Sequence, residues 1–337
     1  MKILVTGNLG YIGTVLTQEL IKEKFNVTGL DTGYFKGCKI DKTQNNFKQI
    51  IKDIRKIQYK DVEGFDSIIH LAALSNDPLG EINSKLTYNI NYLATIRLAK
   101  LAKLAKVKRF IYASTQSIYG ISKTTKELSE DGKNKNPITE YAKTKWLSEI
   151  NLKKISDKNF TICFLRPSTV FGPSPRFRSD IVLNNLMASA YTSKKIIVKS
   201  DGSPFRPVIH IKDVCNAFIS CLKAPSKLIN NKAYNVGFKN GNFTIKEIAE
   251  EIKRKFPKKE LIFTKEHGND SRSYKVSFKK ILKDLKKYYK PKHNIRQGII
   301  ELNNFFNRIN FNQNDFNSWK TVRLIQLNKL IKKNKVK

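Results

Sequence analysis

The chain of 337 residues carries 64 lysine and arginine residues against 28 aspartate and glutamate residues, which gives a formal net charge of +36. This length favours one large domain with a smaller lobe, and a hydrophobic content of 40% excludes wholesale disorder. No apolar run reaches the roughly 20 residues that span a bilayer, and the N-terminus lacks the pattern of a signal peptide. We therefore expect a cytoplasmic protein that does not bind membranes.

The excess of positive charge has two interpretations. Lysine and arginine side chains bound to phosphates drive nucleic-acid binding. Here, however, the basic residues are spread along the chain and are not interleaved with aromatic residues, as they are in platforms that stack bases. We interpret them as a lysine-rich solvated surface and expect no nucleic-acid partner. A positive field of this size still favours anionic ligands.

Cysteine and histidine are sparse and scattered. The four cysteines include no Cys-x-x-Cys pair, and the chain has only four histidines. Zinc sites and disulfide frameworks are usually marked by regular spacing of these residues. We therefore expect neither a metal site nor a set of disulfides.

Short β-rich stretches alternate with helical stretches through the first half of the chain. Apolar residues recur at helical spacing in the helices and form near-continuous runs in the strands. This alternation predicts βαβ units, and therefore a parallel sheet with helices on both faces. We predict strands over residues 2–6, 26–30, 67–71, 109–114 and 160–166, and helices over residues 11–24 and 86–106.

Proline and glycine become frequent after residue 166, which predicts a region dominated by loops. Helices are predicted over residues 180–193 and 244–255. A strand over residues 208–211 and a helix over residues 212–222 are predicted to return to the main sheet. An apolar stripe on a basic C-terminal helix is expected to pack on the smaller lobe, a membrane-surface role being the alternative; it consists of Leu324, Leu327, Leu330 and Ile331.

A glycine-rich turn joins the first predicted strand to the first helix. It places Gly7, Gly10 and Gly13 at the spacing Gly-x-x-Gly-x-x-Gly. In a dinucleotide-binding turn the first glycine permits the tight bend, the second lets the pyrophosphate approach the backbone, and the third lets helix and strand pack closely. The phosphates then bind the amino end of the helix. The turn predicts a dinucleotide cofactor, and a purely structural turn is the alternative.

Asp31 stands at the end of the second predicted strand, 18 residues after Gly13. A carboxylate about 20 residues beyond the glycines accepts a hydrogen bond from the ribose 2′-hydroxyl and disfavours a 2′-phosphate. We therefore predict NAD rather than NADP as the cofactor. The predicted fold class is α/β, a Rossmann-type doubly wound parallel sheet with a smaller, mixed C-terminal substrate lobe.

Tyr141 and Lys145 share one face of a predicted helix, because residues four apart lie on the same side. A tyrosine with its ordinary pKa of about 10 is a poor base at neutral pH, but a neighbouring ammonium and a cationic nicotinamide lower that pKa. The hydroxyl of Thr115 is expected to hold a substrate oxygen beside this pair. Tyr-x-x-x-Lys alone is common, so a surface tyrosine–lysine pair is the alternative.

Taken together, these motifs resemble the extended short-chain dehydrogenase/reductases, and specifically the family of sugar-nucleotide epimerases and dehydratases. The resemblance runs from residue 1 to about residue 300. Besides the glycine turn and Tyr141-x-x-x-Lys145, it rests on Asp53-Ile54, His70 to Ala73, Asn91, Ser114 to Gly120, Arg166 to Gly172 and Asp201 to His210.

The resemblance implies that Tyr141 is the base, that Lys145 lowers its pKa and binds the ribose, and that Thr115 is the hydroxyl partner. The cofactor contacts that it implies are Gly7, Gly10, Tyr11, Ile12, Gly13, Asp31, Asp53, Ile54, Leu71, Ala72, Ala73, Asn91, Tyr141, Lys145 and Pro167. The implied substrate contacts are Gln116, Ser117, Asn184, Arg176, Arg206 and Arg272, with bracing of its own loop as an equal alternative for Arg176.

The implied reaction is hydride exchange between NAD and a carbinol carbon of a nucleotide sugar, most often C4. The 4,6-dehydratases of the family carry an Asp-Glu pair directly after the threonine, where this chain has Gln116 and Ser117. Dehydration is therefore disfavoured, and an NAD-dependent epimerase or oxidoreductase is expected. The alternatives are a 4-keto-sugar-nucleotide reductase that uses NADPH or NADH, and a non-catalytic protein that binds NAD or nucleic acid.

We expect the Rossmann domain to span residues 1–172, with residues 205–225 returning to it. The substrate lobe is expected to comprise residues 173–204 and 226–337. The resemblance also implies a homodimer formed by the helices at 86–106 and 141–155; the alternative is that these helices only cover the sheet.

Overall fold

A computed structural model describes residues 1–41, 47–75, 77–122, 126–133, 135–266 and 273–336. Its strands are β1 (Lys2–Thr6), β2 (Asn26–Asp31), β3 (Lys48–Ile51), β4 (Ser67–His70), β5 (Arg109–Ala113), β6 (Thr161–Pro167), β7 (Thr169–Phe171), β8 (Lys195–Val198), β9 (Phe205–His210), β10 (Lys232–Val236), β11 (Asn242–Thr244) and β12 (Glu260–Phe263).

The α-helices are α1 (Tyr11–Lys22), α2 (Asp77–Gly80), α3 (Ser84–Thr87), α4 (Ala94–Leu104), α5 (Glu140–Ile155), α6 (Val182–Thr192), α7 (Ile211–Lys223), α8 (Ser226–Ile229), α9 (Ile245–Lys255), α10 (Lys279–Asp284), α11 (Ile295–Arg308), α12 (Gln313–Phe316) and α13 (Arg323–Lys332). A π-helical stretch, Tyr88–Leu93, joins α3 to α4. The short 3₁₀ helices are Ile54–Lys56, Tyr59–Asp61 and Gln116–Tyr119.

In the described ranges, the main sheet has seven parallel strands in the order β10-β6-β5-β4-β1-β2-β3. Its faces are both covered: in β1, Ile3 and Val5 point into the core cluster that includes α1 and α7, whereas Leu4 points into the cluster that includes α4. Parallel strands buried on both faces are near-continuous hydrophobic runs, which is why β1, β2, β4, β5 and β6 were predicted. The edge strands β3, which is not buried, and β10 were not predicted. The predicted Rossmann-type α/β class is confirmed.

The strand order reverses between β1 and β4. In open parallel sheets, ligands bind at such a switch point, in the crevice outside the carboxyl ends of the strands. The glycine turn follows β1 directly and therefore lies at this switch point.

Strand β9 does not join the main sheet, so the prediction for residues 208–211 is wrong. It pairs with β7 and β11 in a separate three-stranded sheet, and β10 occupies the edge position beside β6. Both stretches are short and apolar, so local pattern does not distinguish them. Tyr234 and Val236 of β10 are buried in the core cluster that contains the residues of α7, and Ile209 of β9 is buried in the same cluster, so this core does not by itself decide which strand pairs with β6. The division into the two predicted domains stays a proposal.

The C-terminal helix α13 packs on the main sheet, contrary to the expectation that it covers the smaller lobe. Leu327 is fully buried in the core cluster that contains Leu4 of β1. Gln326 donates a hydrogen bond of 3.0 Å to the carbonyl oxygen of Tyr34, which follows β2. The apolar stripe therefore packs against the part of the molecule that contains the main sheet, with Leu327 buried and Leu324, Leu330 and Ile331 partly buried. Across the described ranges, no helix combines the length and apolar character needed to cross a bilayer.

Truncating the apolar stripe tests this packing. Leu327→Ala is expected to lower the free energy of unfolding by about 2–4 kcal/mol, because a buried leucine leaves a cavity when truncated. The measurement is urea denaturation followed by circular dichroism. Ile325→Ala on the same helix is the control: its side chain is 44% exposed, so a change within about 0.5 kcal/mol is expected. Equal losses in the two variants would contradict the described packing of α13.

Candidate active site

A cavity of about 820 Å³ lies over the carboxyl ends of the main-sheet strands. It contains the glycine turn and the tyrosine–lysine pair together. The predicted site residues that line it are Gly7, Gly10, Tyr11, Ile12, Gly13, Asp31, Asp53, Ile54, Leu71, Ala72, Ala73, Thr115, Gln116, Ser117, Tyr141, Lys145, Pro167 and Arg206.

The turn after β1 requires glycine because two backbone segments approach it closely. Gly7 has a φ of +75°, and a Cβ added there would lie 2.6 Å from the backbone nitrogen of Ala72. A Cβ on Gly13 would lie 2.3 Å from the carbonyl oxygen of Gly7. Gly10 precedes α1 without a side-chain cap, so the first amides of the helix face the cavity as an anion-binding end. These features fit the pyrophosphate of a dinucleotide.

The carboxylate of Asp31 connects the glycine turn to the loop after β2. Its oxygens accept hydrogen bonds from the amide nitrogens of Leu9, at 3.1 Å, and Gly33, at 2.8 Å. Burial raises the pKa of Asp31, and these two hydrogen bonds oppose the rise. A carboxylate has about four acceptor positions, so ribose hydroxyls can still donate to it.

Asp53 begins the 3₁₀ helix Ile54–Lys56 and accepts a hydrogen bond from the amide of Arg55 at 2.8 Å. The guanidinium of Arg55 also contacts both carboxylate oxygens, the closest contact being 2.6 Å. Burial by itself would raise the pKa of Asp53, but the hydrogen bonds from Arg55 bring it below its ordinary value. The adenine contact implied by the resemblance stays a prediction.

Tyr141 and Lys145 lie one turn apart near the start of α5, and both side chains line the cavity. Thr139 caps this helix by accepting a hydrogen bond of 3.2 Å from the amide of Ala142. The start of α5 approaches α2 closely because residue 80 is glycine: a Cβ there would lie 2.9 Å from the Cβ of Tyr141. Gly80 is therefore a positioning residue that the sequence patterns did not reveal.

Lys145 is buried, and its Nζ donates a hydrogen bond of 2.6 Å to the carbonyl oxygen of Ala113, at the end of β5. Burial lowers the pKa of Lys145 to about 7, and the carboxylate of Glu149 opposes this effect. Glu149 lies one turn further along α5. It forms a two-pronged ion pair with Arg166, at 2.9 and 2.6 Å, and accepts a hydrogen bond from Ser114. The helix is thereby fastened to the ends of β5 and β6.

The segment from Thr115 to Ser117 forms the wall beside Tyr141. Thr115 Oγ1 accepts a hydrogen bond of 3.1 Å from the amide of Ser117. The side-chain nitrogen of Gln116 donates to the carbonyl oxygen of Arg166 at 3.1 Å and to Ser168 Oγ at 3.2 Å. These two acceptors fix the orientation of the amide. Gln116 does not ionise, so this position offers neither a proton donor nor a base of the carboxyl type.

Three predicted site residues within the described ranges do not line the cavity, and a fourth lies outside those ranges. Asn91 accepts a hydrogen bond of 2.9 Å from the amide of Leu74, and Asn184 donates one of 3.1 Å to the hydroxyl of Tyr11. Arg176 donates to the carbonyl oxygens of Phe35 and Lys36, at 2.5 and 2.8 Å, and so braces the loop after β2. Arg272 lies outside the described residues.

Two further arginines line the cavity, Arg178, for which the sequence leaves anion binding and loop bracing as equal alternatives, and Arg323. Arg178 is buried and forms a two-pronged ion pair with Asp180, with both contacts at 2.8 Å. Arg323, from α13, donates at 2.7 Å to the carbonyl oxygen of Arg176 and lies over the ring of Phe35. No local signal marks Arg323, because its place depends on where the C-terminal helix packs.

The buried lysine gives a stability prediction. Because the pKa of Lys145 is about 7 in the folded protein and about 10.4 in an unfolded chain, the unfolded state holds a proton in between that the folded state does not. Lys145 therefore destabilises the fold increasingly as the pH falls from about 10 to 7, by about 1.4 kcal/mol per unit. Lys145→Met should unfold at a higher denaturant concentration than the wild type, and the difference should grow over that range.

The matched control is Lys143→Met, two residues away on the exposed face of α5. An ion pair with Glu140 raises the pKa of Lys143, so its replacement should give no growing stabilisation as the pH falls. A difference between Lys145→Met and wild type that is constant from pH 10 to pH 7 would contradict the lowered pKa.

Comparison with known proteins gives a consistent family assignment. The family model described as the NAD dependent epimerase/dehydratase family matches residues 3–237. An uncharacterized UDP-glucose epimerase of Bacillus subtilis is 30% identical over 251 residues, which cover 70% of this chain and 77% of that protein. The human dTDP-D-glucose 4,6-dehydratase is 26% identical over 263 residues, 74% of this chain and 73% of that protein.

Among solved structures, the UDP-glucuronic acid 4-epimerase from Bacillus cereus, in complex with UDP-glucuronic acid and NAD, has a TM-score of 0.78 and 25% identity. The superposition covers 92% of this chain and 100% of that chain. The family resemblance read from the motifs is thus confirmed, and with it NAD as the cofactor of the family. The chain belongs to the NAD-dependent epimerase/dehydratase family.

Proposed function

We propose that the protein is an NAD-dependent epimerase or oxidoreductase of a nucleotide-activated sugar. It acts by hydride exchange at a carbinol carbon of the sugar, and C4 is the carbon that we propose. One observation carries the proposal: Thr115, Tyr141 and Lys145 line the same cavity as the glycine turn. An acid–base pair and a dinucleotide cradle in one cavity are the two parts that oxidation of an alcohol requires.

The side chains divide the work of the reaction. Tyr141 takes the proton of the sugar hydroxyl, and the ammonium form of Lys145, which a pKa of about 7 leaves partly populated at neutral pH, stabilises the phenolate that this requires. Thr115 holds the same sugar oxygen by a hydrogen bond: its Oγ1 accepts from the amide of Ser117, and its hydroxyl hydrogen can be donated to the sugar. NAD, when bound, accepts the hydride and can return it. Reprotonation by Tyr141 completes the exchange.

Three features support an anionic, nucleotide-linked substrate. The net charge of +36 attracts anions. Arg206 lines the cavity, and a guanidinium can bind diphosphate oxygens in a two-pronged manner. The relatives named above act on UDP- and dTDP-linked sugars. In contrast, the buried Arg178 is already paired with Asp180, and we assign it to holding the cavity wall.

Dehydration is the less favoured reaction in this proposal, although a dehydratase is among the relatives. Elimination of water needs an acid and a base beside the keto-sugar, in addition to the redox pair. Gln116 has an amide whose nitrogen is engaged by Arg166 and Ser168, and Ser117 has a hydroxyl. Neither side chain supplies a carboxyl group.

We further propose a homodimer through the helices at 86–106 and 141–155. Both helices carry large apolar side chains that are exposed in the single chain: Tyr88, Leu93, Leu104 and Ile150. A dimer mass is expected by light scattering at micromolar concentration, and a monomer would contradict the proposal. The cytoplasmic location stays a prediction.

The proposed base is tested by Tyr141→Phe. Full-length protein is incubated with a panel of UDP-, GDP-, CDP- and dTDP-linked sugars, the products are read by NMR, and nicotinamide absorbance is followed alongside. On the substrate that the wild type converts, the variant should lose about 10²–10⁴-fold in kcat, the usual contribution of a general base, while NAD binding is retained.

Tyr59→Phe is the matched control, because Tyr59 is exposed and does not line the cavity. It should convert the same substrate at the wild-type rate. Undiminished turnover by Tyr141→Phe would overturn the role of Tyr141. Formation of a 4-keto-6-deoxy product by the wild type would overturn the preference against dehydration.

A further inference from the structure

One cluster of possible metal ligands lies apart from the cavity. In the part of the chain that the structure describes, His210, His293 and Glu301 each place one ligand atom within 4.8 Å of the others. His210 ends β9, His293 stands before α11, and Glu301 lies on α11. None of the three lines the cavity. We propose that they bind one divalent transition-metal ion of the zinc class, which connects the end of β9 to α11.

The distances suit a small tetrahedral site. Nε2 of His210 lies 3.5 Å from Oε2 of Glu301, and Nε2 of His293 lies 3.6 Å from Oε1 of the same carboxylate. Two ligands that are each about 2.0–2.1 Å from a tetrahedral zinc ion are about 3.4 Å apart. The carboxylate therefore already stands at nearly the required distance from each histidine. Two imidazoles and one carboxylate form a ligand set that zinc commonly takes.

His210 supplies an independent observation. Its side chain is fully buried, and neither ring nitrogen has a hydrogen-bond partner among the described residues. Buried polar atoms without partners are rare and call for an explanation such as a bound ion. The ring packs directly against the backbone at Gly172, since a Cβ there would lie 2.7 Å from Nε2. A metal ion at Nε2 gives this imidazole the partner that the protein does not.

His293 is oriented as metal-bound histidines usually are. Its Nδ1 lies 3.0 Å from Oδ1 of Asp213, and the same carboxylate accepts hydrogen bonds from the amides of Lys292 and His293. A carboxylate on Nδ1 keeps the proton there, leaves the lone pair on Nε2 and strengthens it as a ligand. Nε2 is the atom that faces Glu301.

Two features of the cluster oppose the ion, and both are adjustable. Nζ of Lys212 lies 3.0 Å from Oε2 of Glu301, but the side chain is 44% exposed and can turn into solvent. The two imidazole rings are stacked at 4.2 Å, so the partly exposed ring of His293 must tilt before both lone pairs meet one ion. Binding therefore displaces Lys212, which makes the lysine a competitor whose removal strengthens binding.

The test uses the full-length chain after removal of any affinity tag, stripped with EDTA and then freed of the chelator. Isothermal titration with Zn²⁺ should show one equivalent, and Co²⁺ should give the visible absorption bands of a tetrahedral site. His293→Asn and Glu301→Gln should each weaken binding at least 10-fold, and Lys212→Met should strengthen it. Asp213→Asn should weaken it by about 10–100-fold, as expected for the partner of a ligating histidine.

Glu260→Gln is the matched control, because it removes an exposed carboxylate, 63% accessible, that is far from the cluster in the chain and pairs with Lys195. It should bind Zn²⁺ as the wild type does. The proposal is overturned by the absence of saturable binding, or by binding that His293→Asn and Glu301→Gln leave unchanged, since the ion would then be held elsewhere.

Discussion

The burial of Lys145 is the constraint on which the rest of the site depends. A lysine that loses water must gain a partner, and here its nitrogen reaches back to the carbonyl oxygen of Ala113 at the end of β5. That contact joins α5 to the end of β5, together with the ion pair between Glu149 and Arg166. Tyr141, one turn earlier, is therefore held over the switch point where the glycine turn lies. The hydrogen bond of the buried Lys145 amine thus helps to hold the proposed base, Tyr141, in the same cavity as the glycine turn.

The ion pair between Glu149 of α5 and Arg166 of β6 also holds α5 against the main sheet. Both side chains are fully buried, so their charges are stable only together. Glu149 also accepts from Ser114, the residue before Thr115, and Arg166 lies on the neighbouring strand β6. The pair thus fixes the ends of β5 and β6 and the first turns of α5 relative to each other. The ion pair between Glu149 and Arg166 has no proposed part in the reaction, but it holds the segments that carry Thr115 and Tyr141 in place.

How much was predictable follows from how local each signal is. Five of the seven strands of the main sheet, all but the edge strands β3 and β10, and the turn from Gly7 to Gly13 were predictable because their pattern lies within a few consecutive residues. The exchange of β9 for β10 at the sheet edge was missed, since strand pairing is decided between distant segments. The burial of Arg323 and the meeting of His210 with His293 were missed for the same reason. Four scattered histidines gave no metal pattern, and only the fold brings two of them together.

The side chains at Gln116 and Ser117 support the proposed preference for hydride exchange over dehydration. An amide locked by Arg166 and Ser168 can hold a sugar hydroxyl but cannot take part in elimination. The proposed hydride exchange needs only NAD and the group formed by Thr115, Tyr141 and Lys145, and it does not need the amide of Gln116. The cavity therefore brings Thr115, Tyr141 and Lys145 together with the glycine turn, and it has no carboxyl group at the positions of Gln116 and Ser117, although Asp77 and Glu81 line it elsewhere.

The central claim is that hydride leaves and re-enters the sugar within this one cavity. It is tested most directly with the converted nucleotide sugar deuterated at C4, followed by mass spectrometry of sugar and cofactor. The account predicts that deuterium is found only on the nicotinamide or back on C4 of the product. Conversion in which the deuterium is lost to water would contradict the account.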